Sequence, residues 1–398
     1  MKVLAVAGAR PNFVKVAPLL RALQALDAGS GRVESVLVDT GQHYDDALAA
    51  AFLRDLDMPP PRHSLRVGSG SHAAQTATAM QRFESVVQCE RPDVVVVVGD
   101  VNSTLAAALV AAKLGVRVAH VEAGLRSFDR TMPEEINRVL TDALADQLFT
   151  TEQSANENLA REGIPAERIF FVGNILVDSL EWATPRIQAS RILQRLGFGD
   201  ESAFALATLH RPANVDGRDR LAANLRTLAE LSCDVPVIFP VHPRTRAQID
   251  GLELGGHCAP PHREDGSRAP LCGITLLEPL SYPDFLRLLS CARVVLTDSG
   301  GVQEECACFG VPCLTLRDTT ERPVTVTVGT NAVVGTDRRL VLARARAAIG
   351  RCRGPVQRPP LWDGQTAPRI ARIVVGGADG ARASVGSVPP SAAPGGCL

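Results

Sequence analysis

Five consecutive valines, Val94 to Val98, limit the fold of this chain more than any other segment. Neighbouring side chains of a strand point to opposite faces, so a run without a polar break is buried on both. Such a strand belongs to a parallel sheet covered by helices, since each parallel crossover lays a helix on one face. The surrounding sequence keeps that rhythm. Short apolar runs at 2–7, 33–39, 93–98, 117–121, 147–150 and 169–172 read as strands. Helical patterns at 14–26, 72–89, 103–114 and 134–145 alternate with them.

The first α/β unit is placed at 1–175, followed by a helical connector at 176–199 that Gly197-Phe-Gly-Asp200 breaks. The rhythm restarts in a second unit at 200–350, with strands at 204–209, 236–241, 275–277, 293–296 and 312–316. Within it, 253–272 reads as a Gly/Pro-rich surface loop, 351–375 as a closing segment and 376–398 as a disordered tail of small residues. Two such units in series form a cleft, and ligands favour the carboxyl ends of the strands facing it.

Bulk properties exclude several classes. With 398 residues, 45% hydrophobic and 21% charged, the chain suits two or three cores. A net charge of −1 offers no surface for nucleic acid. No apolar window is long enough for a membrane span. The N-terminus starts like a signal peptide, yet Ala9-Arg10-Pro11-Asn12 follows at once, so it reads as a first buried strand. Ten cysteines without a C-x-x-C pair read as reduced core thiols of a cytosolic protein, Cys89, Cys233, Cys291, Cys306, Cys308 and Cys313 among them. His257, Cys258, His262 and Cys272 fit no zinc spacing, so no metal is expected.

The chemistry concentrates at strand ends. Val294–Thr297 runs into Asp298-Ser299-Gly300-Gly301, a helix-compatible stretch reaches Phe309, and Gly310-Val311-Pro312 stops it. Strand, tight turn and helix in that order let a diphosphate approach Gly300 and Gly301 and meet the free N–H groups of the helix start. Glu305, about one turn further on, suits the hydroxyls of a ribose. Neither first βα turn carries G-x-G-x-x-G, which argues against a bound NAD. Elsewhere strands end in Gly99-Asp100, in Glu122 and in His210, with Glu134 and Arg138 on a following helix and His242 after a further strand. Arg10 and Lys15 flank the first turn. Asp100 and Glu134 also suit helix caps, Lys15 a snorkelling surface lysine and Phe285 an ordinary core position. The recurrence of polar residues at the carboxyl edge of both units favours a site.

The segments Gly8–Lys15, Gly41-Gln42-His43, Gly99-Asp100, His120–Arg126, Pro133–Glu135, Leu209–Pro212, Asp298–Glu305 and Asp318–Pro323 together resemble the non-hydrolysing UDP-N-acetylglucosamine 2-epimerase family across about 2–375. That resemblance implies a GT-B fold: two Rossmann-like, doubly wound parallel-sheet domains with a cleft between them, the closing segment returning to the first. It implies a cofactor-free epimerase acting on a UDP-sugar. UDP is eliminated from C1 as C2 loses a proton, a 2-acetamidoglucal forms, and UDP adds back to give UDP-N-acetylmannosamine. It also implies a cytoplasmic homodimer that serves polysaccharide synthesis and binds neither nucleic acid nor membrane. Asp100, Glu122, Glu134 and His210 match the family's catalytic residues. Arg10, Lys15 and His242 match its cleft, Ser299 and Gly300 its diphosphate turn, and Glu305 its ribose contact. Phe285 matches the residue packed on uracil, and Arg322 a nucleotide-side arginine. Gln42 and His43 match part of an allosteric substrate site, where Tyr44 departs from a commoner arginine. Changed segments after Pro11 and His210 leave room for a 3-acetamido or uronic-acid sugar. A hydrolysing epimerase and a GT-B glycosyltransferase are the alternative activities.

Overall fold

The computed structural model describes residues 1–27, 31–41, 53–199, 202–252, 258–259, 273–351 and 354–384. For Arg10, 258–259 and 377–384 the description is of the backbone. Gln42 and His43, most of the loop at 253–272 and residues 385–398 lie outside it.

Two seven-stranded sheets, all parallel, carry the fold. The first comprises β1 (Lys2–Ala7), β2 (Glu34–Asp39), β3 (His63–Ser64), β4 (Val94–Val98), β5 (Arg117–Ala123), β6 (Gln147–Thr150) and β7 (Ile169–Phe171) in the order β3-β2-β1-β4-β5-β6-β7. The second comprises β8 (Ala205–Thr208), β9 (Val237–Pro240), β10 (Cys258–Ala259), β11 (Ile274–Leu277), β12 (Val294–Thr297), β13 (Cys313–Thr315) and β14 (Asn331–Val333), ordered β10-β11-β9-β8-β12-β13-β14. Both are doubly wound, as expected. Strand order reverses between β1 and β4 and between β8 and β12, and a crevice opens at such a reversal.

The five valines lie as their sequence requires, each at most 1% exposed. Val94, Val96 and Val98 pack with Phe13, Val16 and Leu20 on one face. Val95 and Val97 pack with Phe83, Ala107 and Ala111 on the other. Complete burial of one such side chain contributes about 1.5–3 kcal/mol. Helix Ile175–Ala189 and the fully buried Trp362 stand between the sheets, in a shared cluster with Leu286 and Ala307. The closing helix Thr366–Ser384 packs on helix Arg10–Asp27. Asp178 holds its start by accepting from the Thr366 and Ala367 N–H groups at 3.2 and 2.8 Å.

The differences from the sequence reading are local. Helix Arg10–Asp27 starts four residues before the expected 14, because Pro11 is tolerated in a first turn that needs no N–H partner. The connector breaks at Ser190 into Ile175–Ala189 and Ile192–Arg195. The last helix runs past 376, through the helix-forming Ala378, Ala381 and Ala383. β3, β10 and β14 were not expected: β3 and β10 span two residues each, and β14 opens on the polar Asn331, so none shows an apolar run. Cys89 and Cys233 are exposed rather than core, on an outer helix face and in the turn after a helix. Among the described residues no helix is long and apolar enough to cross a membrane, and no metal-binding cluster occurs.

Candidate active site

After β12 the chain turns through Asp298-Ser299 into helix Gly300–Phe309, whose N-cap Ser299 makes no side-chain capping bond. The first N–H groups of that helix therefore keep their capacity for an anion. A Cβ on Gly300 would lie 2.4 Å from Arg322 Nη1, whereas one on Gly301 would meet nothing within 4 Å. Gly300 thus admits the Arg322 guanidinium, and Gly301 faces open space. Glu305, one turn on, is buried and accepts from the Tyr282 hydroxyl at 3.2 Å. Burial pushes its pKa up to about 8, against the Tyr282 hydrogen bond.

Beyond β8, His210 Nδ1 lies 2.8 Å from Asp298 Oδ1, and Asp298 also accepts from the His210 and Arg211 N–H groups and from Asn214. Burial would raise the pKa of Asp298, but the His210 hydrogen bond and charge, with those of Asn214 and Arg211, carry it below the usual carboxylate range. An ionised partner at Nδ1 leaves Nε2 of His210 as the nitrogen free for a ligand.

The first domain supplies acids. β4 ends in Gly99, at φ 70°, and Asp100 follows. Asp100 keeps 29% of its side-chain surface and lies 3.6 Å from the buried Arg138. Burial raises its pKa, with Arg138 acting the other way. In β5, Val121 pairs with Phe149 and Ala123 with Thr150, so Glu122 is skipped by a bulge. Its φ is 72°, a left-handed conformation that is rare for a side-chain-bearing residue and costs on the order of 1–3 kcal/mol. A bulge re-aims a side chain, here toward the second domain. Glu122 binds Lys15 through Oε2 and Arg322 through Oε1, the latter at 2.5 Å. Burial alone would raise the Glu122 pKa; Lys15 and Arg322 outweigh it and lower it.

Arg322 holds the halves together. Its guanidinium meets Glu122 of the first domain and, in the second, Glu304 at 2.9 Å and Glu321 at 2.7 Å. Burial would lower its pKa, but those three carboxylates carry it well above the ordinary arginine value. Glu304 also accepts from Asn174 Nδ2 at 3.0 Å, which closes the floor of the cleft.

A cavity of about 390 Å³ lies between the two carboxyl edges. Lys15, Asp100, Glu134, His210, Phe285, Ser299, Gly300, Gly301, Glu305 and Arg322 all line it. Glu122 and Arg138 stand behind that wall, at 4% and 2% exposure, bonded to residues that form it. His242 does not reach the cavity; it is exposed and accepts from the Arg244 N–H at the start of helix Pro243–Asp250. Lys15 is buried and paired with Glu122, not snorkelling to the surface. Asp100 and Glu134 cap no helix, since the N-caps beside them are Val101 and Met132. Phe285 serves both readings, packed against the core and lining the cavity. Sequence reasoning missed Tyr282, Asp298, Glu304 and Glu321. Tyr282 was legible as the i−3 neighbour of Phe285. The other three adjoin recognised residues; Glu321 pairs with its neighbours Arg317 and Arg322, while Asp298 and Glu304 gain His210 and Asn174 only on folding.

A family model described as UDP-N-acetylglucosamine 2-epimerase matches residues 24–375. A Methanocaldococcus jannaschii protein named UDP-N-acetylglucosamine 2-epimerase is 39% identical, over 95% of this chain and 100% of that protein. A Pseudomonas aeruginosa protein named UDP-2,3-diacetamido-2,3-dideoxy-D-glucuronate 2-epimerase is 39% identical, over 88% of this chain and 93% of its own. The crystal structure of the M. jannaschii UDP-GlcNAc 2-epimerase in complex with UDP-GlcNAc and UDP superposes with a TM-score of 0.83, covering 95% of this chain and 100% of that one.

Proposed function

The chain belongs to the UDP-N-acetylglucosamine 2-epimerase family, and from that premise we propose that it inverts C2 of UDP-N-acetylglucosamine without hydrolysis, as a cytoplasmic homodimer. The reaction has two half-steps. A carboxylate takes the C2 proton while the C1–O bond breaks, its electron pair leaving with UDP and the C2–H pair forming the C1=C2 bond of 2-acetamidoglucal. UDP oxygen then re-attacks C1, and C2 takes a proton on the opposite face. Such a sequence needs acid–base groups around one carbon, and charge stabilisation for a diphosphate that must stay.

The observation that carries this reading is the joint cavity, which sets Asp100 and Glu134 opposite the uncapped helix start at Ser299–Gly301. Asp100, Glu122 and Glu134 supply the proton-moving groups, and the raised pKa of Asp100 favours its protonated form relative to an ordinary aspartate. Lys15, Arg322, His210 and the helix start hold the leaving UDP. Glu305 meets the ribose, and Phe285 stacks beside uracil. The P. aeruginosa relative favours a second reading in which the sugar carries a 3-acetamido or C6 carboxylate group.

NMR of the purified protein with UDP-N-acetylglucosamine in D2O tests the proposal. Deuterium at C2 of both epimers, with UDP still attached, is the expected result. Unlabelled product sinks the elimination route, and accumulating free UDP replaces it with hydrolysis. Turnover of only the acidic or diacetamido sugar moves the substrate to the second reading. Light scattering checks the dimer.

A further inference from the structure

The strained Glu122 lies between two points held by one carboxylate. Asp142, fully buried on helix Pro133–Leu144, accepts through Oδ1 from His120 Nδ1 at 2.6 Å. Its Oδ2 accepts from the Gly124 N–H at 3.0 Å and from Arg126 Nη2 at 2.7 Å. His120 precedes Glu122 by two residues and Gly124 follows it by two. Asp142 thus grips β5 on each side of the bulge. Gly124 tolerates no side chain there, because its φ is 78° and a Cβ would lie 2.6 Å from the Ala155 carbonyl oxygen.

The other nitrogen of His120 reaches the backbone beside a second acid. His120 Nε2 is 2.8 Å from the carbonyl oxygen of Gly99, the residue before Asp100. A carboxylate and a carbonyl only accept, so both ring nitrogens face acceptors, the arrangement in which each donates. Arg126, paired with Asp142, also reaches the exposed Glu162 with two N–H groups at 2.6 and 2.7 Å.

We propose that His120 and Asp142 are positioning residues which, through the Gly99 carbonyl and the two ends of the β5 bulge, set Asp100 on the cavity wall and Glu122 directly behind it. This rests on the reading of those two acids as the proton-moving groups. The grip gives local strain a use: a left-handed glutamate persists only where its surroundings over-determine it, and here one carboxylate does so from both sides.

Two measurements test it. In wild-type protein, 15N NMR should show a proton on each His120 ring nitrogen, the signals assigned by through-bond correlation to the His120 backbone. One bare nitrogen overturns the proposal, and this readout does not depend on which sugar, or whether any, is turned over. The second is graded rescue. Gln places a donor near the Nε2 position, toward Gly99, and Asn places one near Nδ1, toward Asp142. His120→Ala and His120→Asn should lower kcat about a hundredfold with KM within about threefold, and His120→Gln should recover about tenfold of the loss. Equal losses in all three, or a KM that rises as kcat falls, reduce His120 to a structural residue. Should the variants fail to fold, the proton count on wild type decides alone. Wild-type inactivity with correct ring protonation would instead count against the proposed function.

Discussion

The two walls of the cavity are built on opposite plans. On the first-domain side, the acids are fixed by buried charge: Glu122 lies in a strained bulge between Lys15 and Arg322, and Asp100 beside Arg138. On the second-domain side, the surface proposed for the diphosphate is backbone, an uncapped helix start at Gly300 and Gly301, with His210 held by Asp298. The difference matches the proposed tasks. Moving a proton needs a side chain at one position and of one pKa, so the first wall resists motion. Holding a diphosphate needs several donors and close approach, so the second is smooth and partly bare.

Arg322 belongs to both walls, and removing it should blur the contrast most. Arg322→Ala leaves Glu122, Glu304 and Glu321 without their shared cation. It should cost about 3–5 kcal/mol in denaturant unfolding and depress both UDP affinity and turnover. Unchanged stability would show that the ion network is not what joins the domains. Asp100→Asn should touch the first wall alone, cutting kcat about a thousandfold while UDP affinity by calorimetry stays within about threefold. A matching fall in UDP affinity would break the division of labour.

Gly301→Ala is the mirror experiment. A Cβ there meets nothing within 4 Å in the ligand-free protein, so the melting temperature should hold. A diphosphate lying on that backbone would be displaced, so UDP affinity should fall about tenfold. Retained affinity would move the diphosphate off this turn.

The last test concerns pH. Glu305 has a pKa of about 8 in the fold, against about 4.3 for a free glutamate. The folded state therefore binds the extra proton across that window, and stability falls as pH rises from about 4 to about 8. Below it the group contributes no penalty. Glu305→Gln should flatten that decline in melting experiments run across the window. An unchanged slope would mean that another group, such as Glu152 with a pKa of about 7, dominates.

Much of this was legible in the chain. The valine run determined a parallel sheet buried on both faces, because a period of two allows an unbroken apolar run nowhere else. The punctuation after each strand marked Asp100, Glu122, His210 and Ser299 at carboxyl ends, and parallel strands place such ends on one edge. The two-residue edge β3 was invisible because it carries too few positions for a pattern, and β14 because it opens on the polar Asn331, whereas the equally short but wholly apolar β7 was legible.

What tertiary structure alone decided is how those residues are held. The Glu122 bulge exists only as a mismatch between β5 and β6, so no reading of β5 by itself could find it. Asp298 looked like a turn residue until β8 placed His210 against it. Asp142 carries no signal of its own within the helical pattern at 134–145; only the fold closes it over both sides of the bulge. Sequence spacing fixes which residues share an edge, because backbone geometry is periodic. Protonation, strain and pairing depend on distances between segments that the chain brings together only on folding.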